Sequence, residues 1–185
     1  QFAWMFNMRE KNSVHSLLMS CEDGRHPAII VDTPTSENMW KTHAALFATL
    51  AILVYRPTIQ DVFAAAQTLS VLTGPEISNA GGVPPGAIYL VLNRRNEASS
   101  IQPRQFLEEL EQVFHWAPTI LAVIDEDIAV QHAHENRLPP TQRSEKLGRG
   151  IRQIISALFP GLKEDETVPT PGKRPQFRLP RIGIG

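Results

Sequence analysis

The sequence predicts an α/β fold: a doubly wound, mainly parallel sheet flanked by helices. Four short apolar runs, at 28–31, 51–55, 87–92 and 119–124, are continuous rather than alternating, as expected of strands buried on both faces. Segments with helical periodicity separate them, and strand–helix alternation of this kind builds a parallel sheet with right-handed crossovers. A polar residue closes three of the runs, Asp32, Asn93 and Asp125. Those positions fall at the carboxyl edge, where open α/β sheets hold their ligands.

Residues 9–21 read as a helix, with Val14, Leu17, Leu18 and Cys21 on one face, and Asp23-Gly24 turns the chain. The run 28–31 is the first expected strand, stopped by Asp32-Thr33-Pro34. Ser36 is placed to cap a helix reaching about Thr49. Ala51–Tyr55 is the second strand and Arg56-Pro57 a break. Thr58 then caps a helix over 59–72, with Asp61 at its third position.

A Gly/Pro-rich loop fills 73–86, and 87–92 is the third strand, closed by Asn93-Arg94-Arg95-Asn96. Pro103 opens an amphipathic helix to His115. Thr119–Ile124 is the fourth strand, followed by a short helix over 126–135 and a longer one over 145–159. The expected organisation is thus one domain over 1–160 and a Pro/Gly-rich tail over 161–185. From Thr167 on, that tail carries Lys173, Arg174, Arg178 and Arg181 and no acid.

Bulk properties narrow the function. The chain has 185 residues, 42% hydrophobic and 20% charged, with a net charge of −1, so no global field draws it to DNA or an anionic membrane. Cys21 is the single cysteine, which excludes an internal disulfide. The longest mostly apolar run, 44–55, is too short to span a bilayer. These features fit a cytoplasmic protein.

Several signals fail on context. GGVPPG at 81–86 lacks the Lys-Ser/Thr and the following helix that a phosphate loop requires. GRG at 148–150 lies inside a helical pattern. No G-x-x-x-x-G-K-[ST] and no G-x-G-x-x-G occurs. His132 and His134, two apart on a helix, point about 200° away from each other and do not share an ion. Asp32, at a strand tip, has two readings: a cap for the next turn, or an acid beside magnesium and a nucleotide's phosphates.

The segments AIIVDTPT, ATLAILVYRPTIQDVFAAAQTLSVL, AIYLVLNRR and LAVIDEDIAVQHAHENRLPP stand in the order and spacing found in the MinD/ParA family of deviant-Walker ATPases. The chain resembles that family over roughly residues 10–160. The family includes septum-site regulators, plasmid and chromosome partition ATPases, and the pilus-assembly proteins CpaE or TadZ.

The resemblance implies a P-loop NTPase-like fold, with ATP and Mg²⁺ as cofactors and a homodimer formed around nucleotide. It implies that the protein positions a cellular machine, in division, partition or pilus and secretion assembly, with a protein partner it does not identify. Asp32 would be the catalytic acid and would hold Mg²⁺ through water. Asn93 would contact the adenine, with Arg94 beside it, and Ile124, Asp125 and Glu126 would form the loop along the base. Pro57 and Asp61 would match the segment that starts the following helix, and Ala133 the helix closing the base region.

Two features depart from the family. Asp125 stands where the family has proline, and the Gly-rich loop with two lysines is absent from these 185 residues. The resemblance thus covers the C-terminal two-thirds of such a domain, and the chain as given is expected to be inactive as an ATPase. A Walker A loop ahead of Gln1 would make it an ATPase; without one it would be a non-catalytic positioning or scaffold subunit. Family members that use DNA or the inner face of the membrane imply such a contact for the basic tail.

Overall fold

The computed structural model describes residues 30–33, 39–96, 98 and 100–160. The helix expected at 9–21, residues 28 and 29 of the first expected strand, and the tail from 161 lie outside them. The described elements are α1 (Met39–Phe47), β1 (Ala51–Tyr55), α2 (Ile59–Leu72), α3 (Pro75–Ser78), a 3-10 turn (Pro85–Ala87), β2 (Ile88–Arg95), α4 (Pro103–Phe114), β3 (Thr119–Asp125), α5 (Ile128–Glu135), a second 3-10 turn (Pro140–Gln142) and α6 (Glu145–Leu158).

Local chemistry sets most boundaries. The Thr58 hydroxyl accepts the Asp61 backbone N–H at the start of α2, the N-cap its position predicts, and donates to the Asp61 carboxylate at 2.8 Å, while the Thr58 N–H donates to the Arg56 carbonyl instead of completing a capping box. Pro103 occupies the first turn of α4, where its missing N–H costs nothing. His115 closes that helix in the left-handed region, φ 60°. α5 starts two residues later than expected because Asp127 caps it, accepting from the Ala129 N–H. Ser144 caps α6 through the Leu147 N–H at 3.1 Å.

The strands pair in the order β1-β2-β3, all parallel, so the architecture is α/β. Among the described residues the strand order follows the chain and does not reverse. Alternate residues of β2 divide the core. Ile88, Leu90 and Leu92 face Val62, Ala65 and Leu69 of α2 and Phe106 and Leu110 of α4. Val91 joins Leu121, Ala122 and Ile124 on the other face, under Leu147, Ile154 and Leu158 of α6. Leu121 and Ala122 share that face because Leu90 pairs with Ile120 but Val91 with Ala122, which leaves Leu121 as an extra residue.

α6 is held close to the sheet by Gly150. A Cβ there would stand 2.5 Å from Cγ1 of Ile124. A helix that crosses Ile124, near the end of β3, and still packs Ile154 and Leu158 on the sheet runs back along that strand. It therefore ends near the amino edge.

The expected first strand does not form in its described part. Ile30 and Val31 are 93% and 44% exposed and belong to no strand. An apolar run supplies the side chains of a strand but not the partner ladder that makes one. Among the described residues, no helix is long and apolar enough to cross a membrane.

Candidate functional site

The carboxyl edge of the sheet gathers polar residues from three strand ends. β1 runs out into Arg56, β2 into Asn93–Asn96, and β3 into Asp125, Glu126 and Asp127. Parallel pairing brings these ends to one edge.

β2 continues three residues past the expected Leu92, and does so by bulging. Leu92 pairs with Val123 and Arg95 with Asp125, so three steps of β2 match two of β3. Arg94 takes up the excess at φ 56°, left-handed backbone that costs a non-glycine residue about 1–2 kcal/mol. The Asn93 side-chain oxygen accepts the Arg94 N–H at 2.9 Å and stabilises the kink. The bulge re-aims the residues that follow it.

Two ion pairs tie the end of β2 to Asp125, the last residue of β3, and to Glu126 just beyond it. Arg95 Nε meets Asp125 Oδ1 at 2.5 Å, about one-third exposed on each side. Arg94 Nη2 meets Glu126 Oε1 at 3.2 Å, while the Asn96 amide donates to Glu126 Oε2 at 3.2 Å. The Glu126 N–H donates to the Arg95 carbonyl at 2.9 Å and continues the ladder beyond the strand. The Asn96 hydrogen bond above all, then that from Arg94, hold the Glu126 carboxyl below its ordinary 4.5, with the charges of Arg94 and Arg56 adding to them against a slight loss of solvation.

Asp127 anchors the edge from below. It accepts the Ser144 hydroxyl at 2.7 Å as well as the Ala129 N–H. Ser144 is buried and caps the next helix, so one hydroxyl ties the starts of α5 and α6 together. The Ser144 bond first, then Ala129, with the Lys146 charge, lower the Asp127 carboxyl from its ordinary 3.8.

Of the residues expected in a site, Asn93, Arg94, Asp125 and Glu126 stand at this edge. The Ile124 side chain is turned away from it, buried in the core under Gly150. Asp32 lies in exposed backbone that is neither helix nor strand. Arg56, Arg95, Asn96 and Ser144 were not expected. The signal for Arg95 and Asn96 was opposite charge at matched strand ends, RRN at the end of β2 against DED at the end of β3.

The side chains fit parts of a nucleotide unequally. The Asn93 amide nitrogen remains a donor, and the Arg94 guanidinium, 57% exposed, offers a flat cation of the sort that stacks on a purine. Magnesium is less well served. No group of three or more His, Cys, Asp or Glu among the described residues is arranged to hold a metal ion. Asp32 offers one carboxylate, and magnesium bound that way draws its other ligands from water and phosphate. No protein-family model matches the sequence, and no curated protein matches it either.

Proposed function

We propose that this chain supplies the base-binding side of a MinD/ParA-like, nucleotide-switched ATPase, one that positions a cellular machine through ATP-dependent dimerisation. On this reading the three-stranded sheet is part of a larger doubly wound sheet. The observation that supports it is the bulged carboxyl edge, where Asn93, Arg94, Asn96 and Glu126 stand together at the end of parallel strands. There Asn93 donates to the base, Arg94 stacks on its ring, and Glu126, released from Asn96, accepts an exocyclic amine. ATP and magnesium are the cofactors, with Asp32 on the phosphate side.

A second reading follows from Asp32, whose exposed and irregular backbone leaves the phosphate side without a formed strand tip. It is a non-catalytic positioning subunit that keeps the fold. Calorimetric titration with ATP and GTP separates the two. On the first reading ATP binds, and Asn93→Ala weakens it several-fold, the equivalent of about 1 kcal/mol for one hydrogen bond, and narrows the preference for ATP. Absence of binding by the wild-type protein, or identical affinities in the variant, would leave the scaffold.

A further inference from the structure

The amino edge of the sheet, opposite the polar cluster, carries a groove of about 280 Å³ lined by Pro85, Gly86, Ile88, Trp116, Pro118 and Thr119. Its walls are local in origin. The left-handed cap at His115 turns the chain off α4, and the Phe114 ring meets the indole of Trp116 edge-on, centroids 6.4 Å apart at 62°. Among the described residues no acceptor meets the Trp116 indole N–H. An indole with a free donor, set between prolines, is the surface on which extended proline-rich segments are recognised.

Beside it runs an acidic strip. Glu108, Glu111 and Gln112 line a shallow recess of about 420 Å³ on α4. Glu108 meets Arg104 at 2.7 Å, and Glu111 meets no cation among the described residues. The last turn of α4 holds no basic residue, so its carbonyl ends add further negative potential.

We propose that the proline-rich basic segment 169–181 of this same chain docks along this groove, its prolines on Trp116 and its cations along Glu111 and Glu108. Three observations lead to that occupant. α6 ends near the amino edge, so the described chain stops at Pro160 at the edge of the sheet where the groove lies. Prolines at 169, 171, 175 and 180 favour the extended form such grooves accept, and Lys173, Arg174, Arg178 and Arg181 complement the strip. Reach is ample, since the nine residues from Pro160 to Pro169 cover about 28 Å at about 3.1 Å each. In the docked state those cations are withheld from nucleic acid or an anionic membrane.

The test uses the full chain with Cys21→Ser, and Gln176→Cys carrying a nitroxide. The nitrogen-15 signal of the Trp116 indole N–H, assigned with Trp116→Phe, is read before and after reduction of the label. The proposal expects the signal to lose most of its intensity while the label is active. It expects the loss to disappear when Lys173→Glu, Arg174→Glu and Arg178→Glu are combined. Isotope-labelled protein without nitroxide, mixed with nitroxide-labelled protein at natural isotope abundance, is expected to keep full intensity. An unaffected Trp116 signal overturns the proposal. Equal loss in the mixed sample overturns it in favour of a second copy's tail, and loss that survives charge reversal overturns the pairing with Glu108 and Glu111.

Discussion

Replacing Gly150 by alanine is expected to destabilise the protein, although alanine is the better helix former. In a helix interior alanine gains about 1 kcal/mol over glycine. At Gly150 the added carbon would sit 2.5 Å from Cγ1 and 2.9 Å from Cδ1 of Ile124, against a comfortable separation of about 3.5–4.0 Å. Ile124 cannot step aside, being buried among Val91, Leu121 and Ala122. Forcing a methyl group into such packing costs about 1–3 kcal/mol, so the net expectation is a loss of about 1 kcal/mol. For a chain of this size that lowers Tm by about 2–4 °C.

Gly148, two residues earlier in the same helix, is the control. Its added carbon would meet Arg152 Nη1 and the Thr141 carbonyl at 3.5 Å, ordinary contact, so Gly148→Ala should raise stability by about 1 kcal/mol. Urea and thermal unfolding followed by circular dichroism measure both. Ile124→Ala alone should cost about 2–5 kcal/mol, and adding Gly150→Ala should recover part of it by filling the space. If Gly150→Ala stabilises as much as Gly148→Ala, α6 does not lie on Ile124 and the packing derived for this face is wrong.

Other expectations concern the carboxyl edge. Arg94→Ala should unfold more readily than Arg94→Gly by about 1 kcal/mol in urea titrations, since only glycine accepts φ 56° without strain. Ser144→Ala removes the cap of α6 and the hydroxyl on Asp127, and should cost about 1–2 kcal/mol by the same measurement. Glu126 and Asp127, both with lowered pKa values, stabilise the fold fully above their ordinary 4.5 and 3.8, and that contribution is lost as pH falls through the depressed folded values. Tm of wild type should therefore fall more steeply below pH 4.5 than Tm of Glu126→Gln, and equal slopes would remove Glu126 from the linkage.

The sequence conveyed what depends on near neighbours. Thr58 three residues before Asp61, Pro103 at a helix start and the unbroken apolar run 119–124 each carry their structure within one turn or one strand. Asn93, Arg94, Asp125 and Glu126 could be placed at one edge because each follows a strand of one parallel sheet. What was not legible needed a partner far along the chain. The bulge that carries β2 to Arg95 arises from its register with β3, and Arg95 pairs with Asp125 across 30 residues. Ile124, grouped with the edge by position, is turned into the core by strand alternation. The run through Ile30 and Val31 has strand composition, yet pairing decides, and composition does not report pairing.

The order β1-β2-β3 has a consequence for synthesis. Among the described residues each strand lies beside the one made before it, with α2 and the short α3 between β1 and β2 and α4 between β2 and β3. β1 can therefore close on β2 while β3 is still unmade, and β3 then adds to an existing template instead of inserting between strands already paired. Assembly can keep pace with the ribosome, from the amino end forward. Of the described elements α6 is made last, over Val91 and Ile124, so before it is made that face of the sheet lacks this cover and is the surface a chaperone would meet.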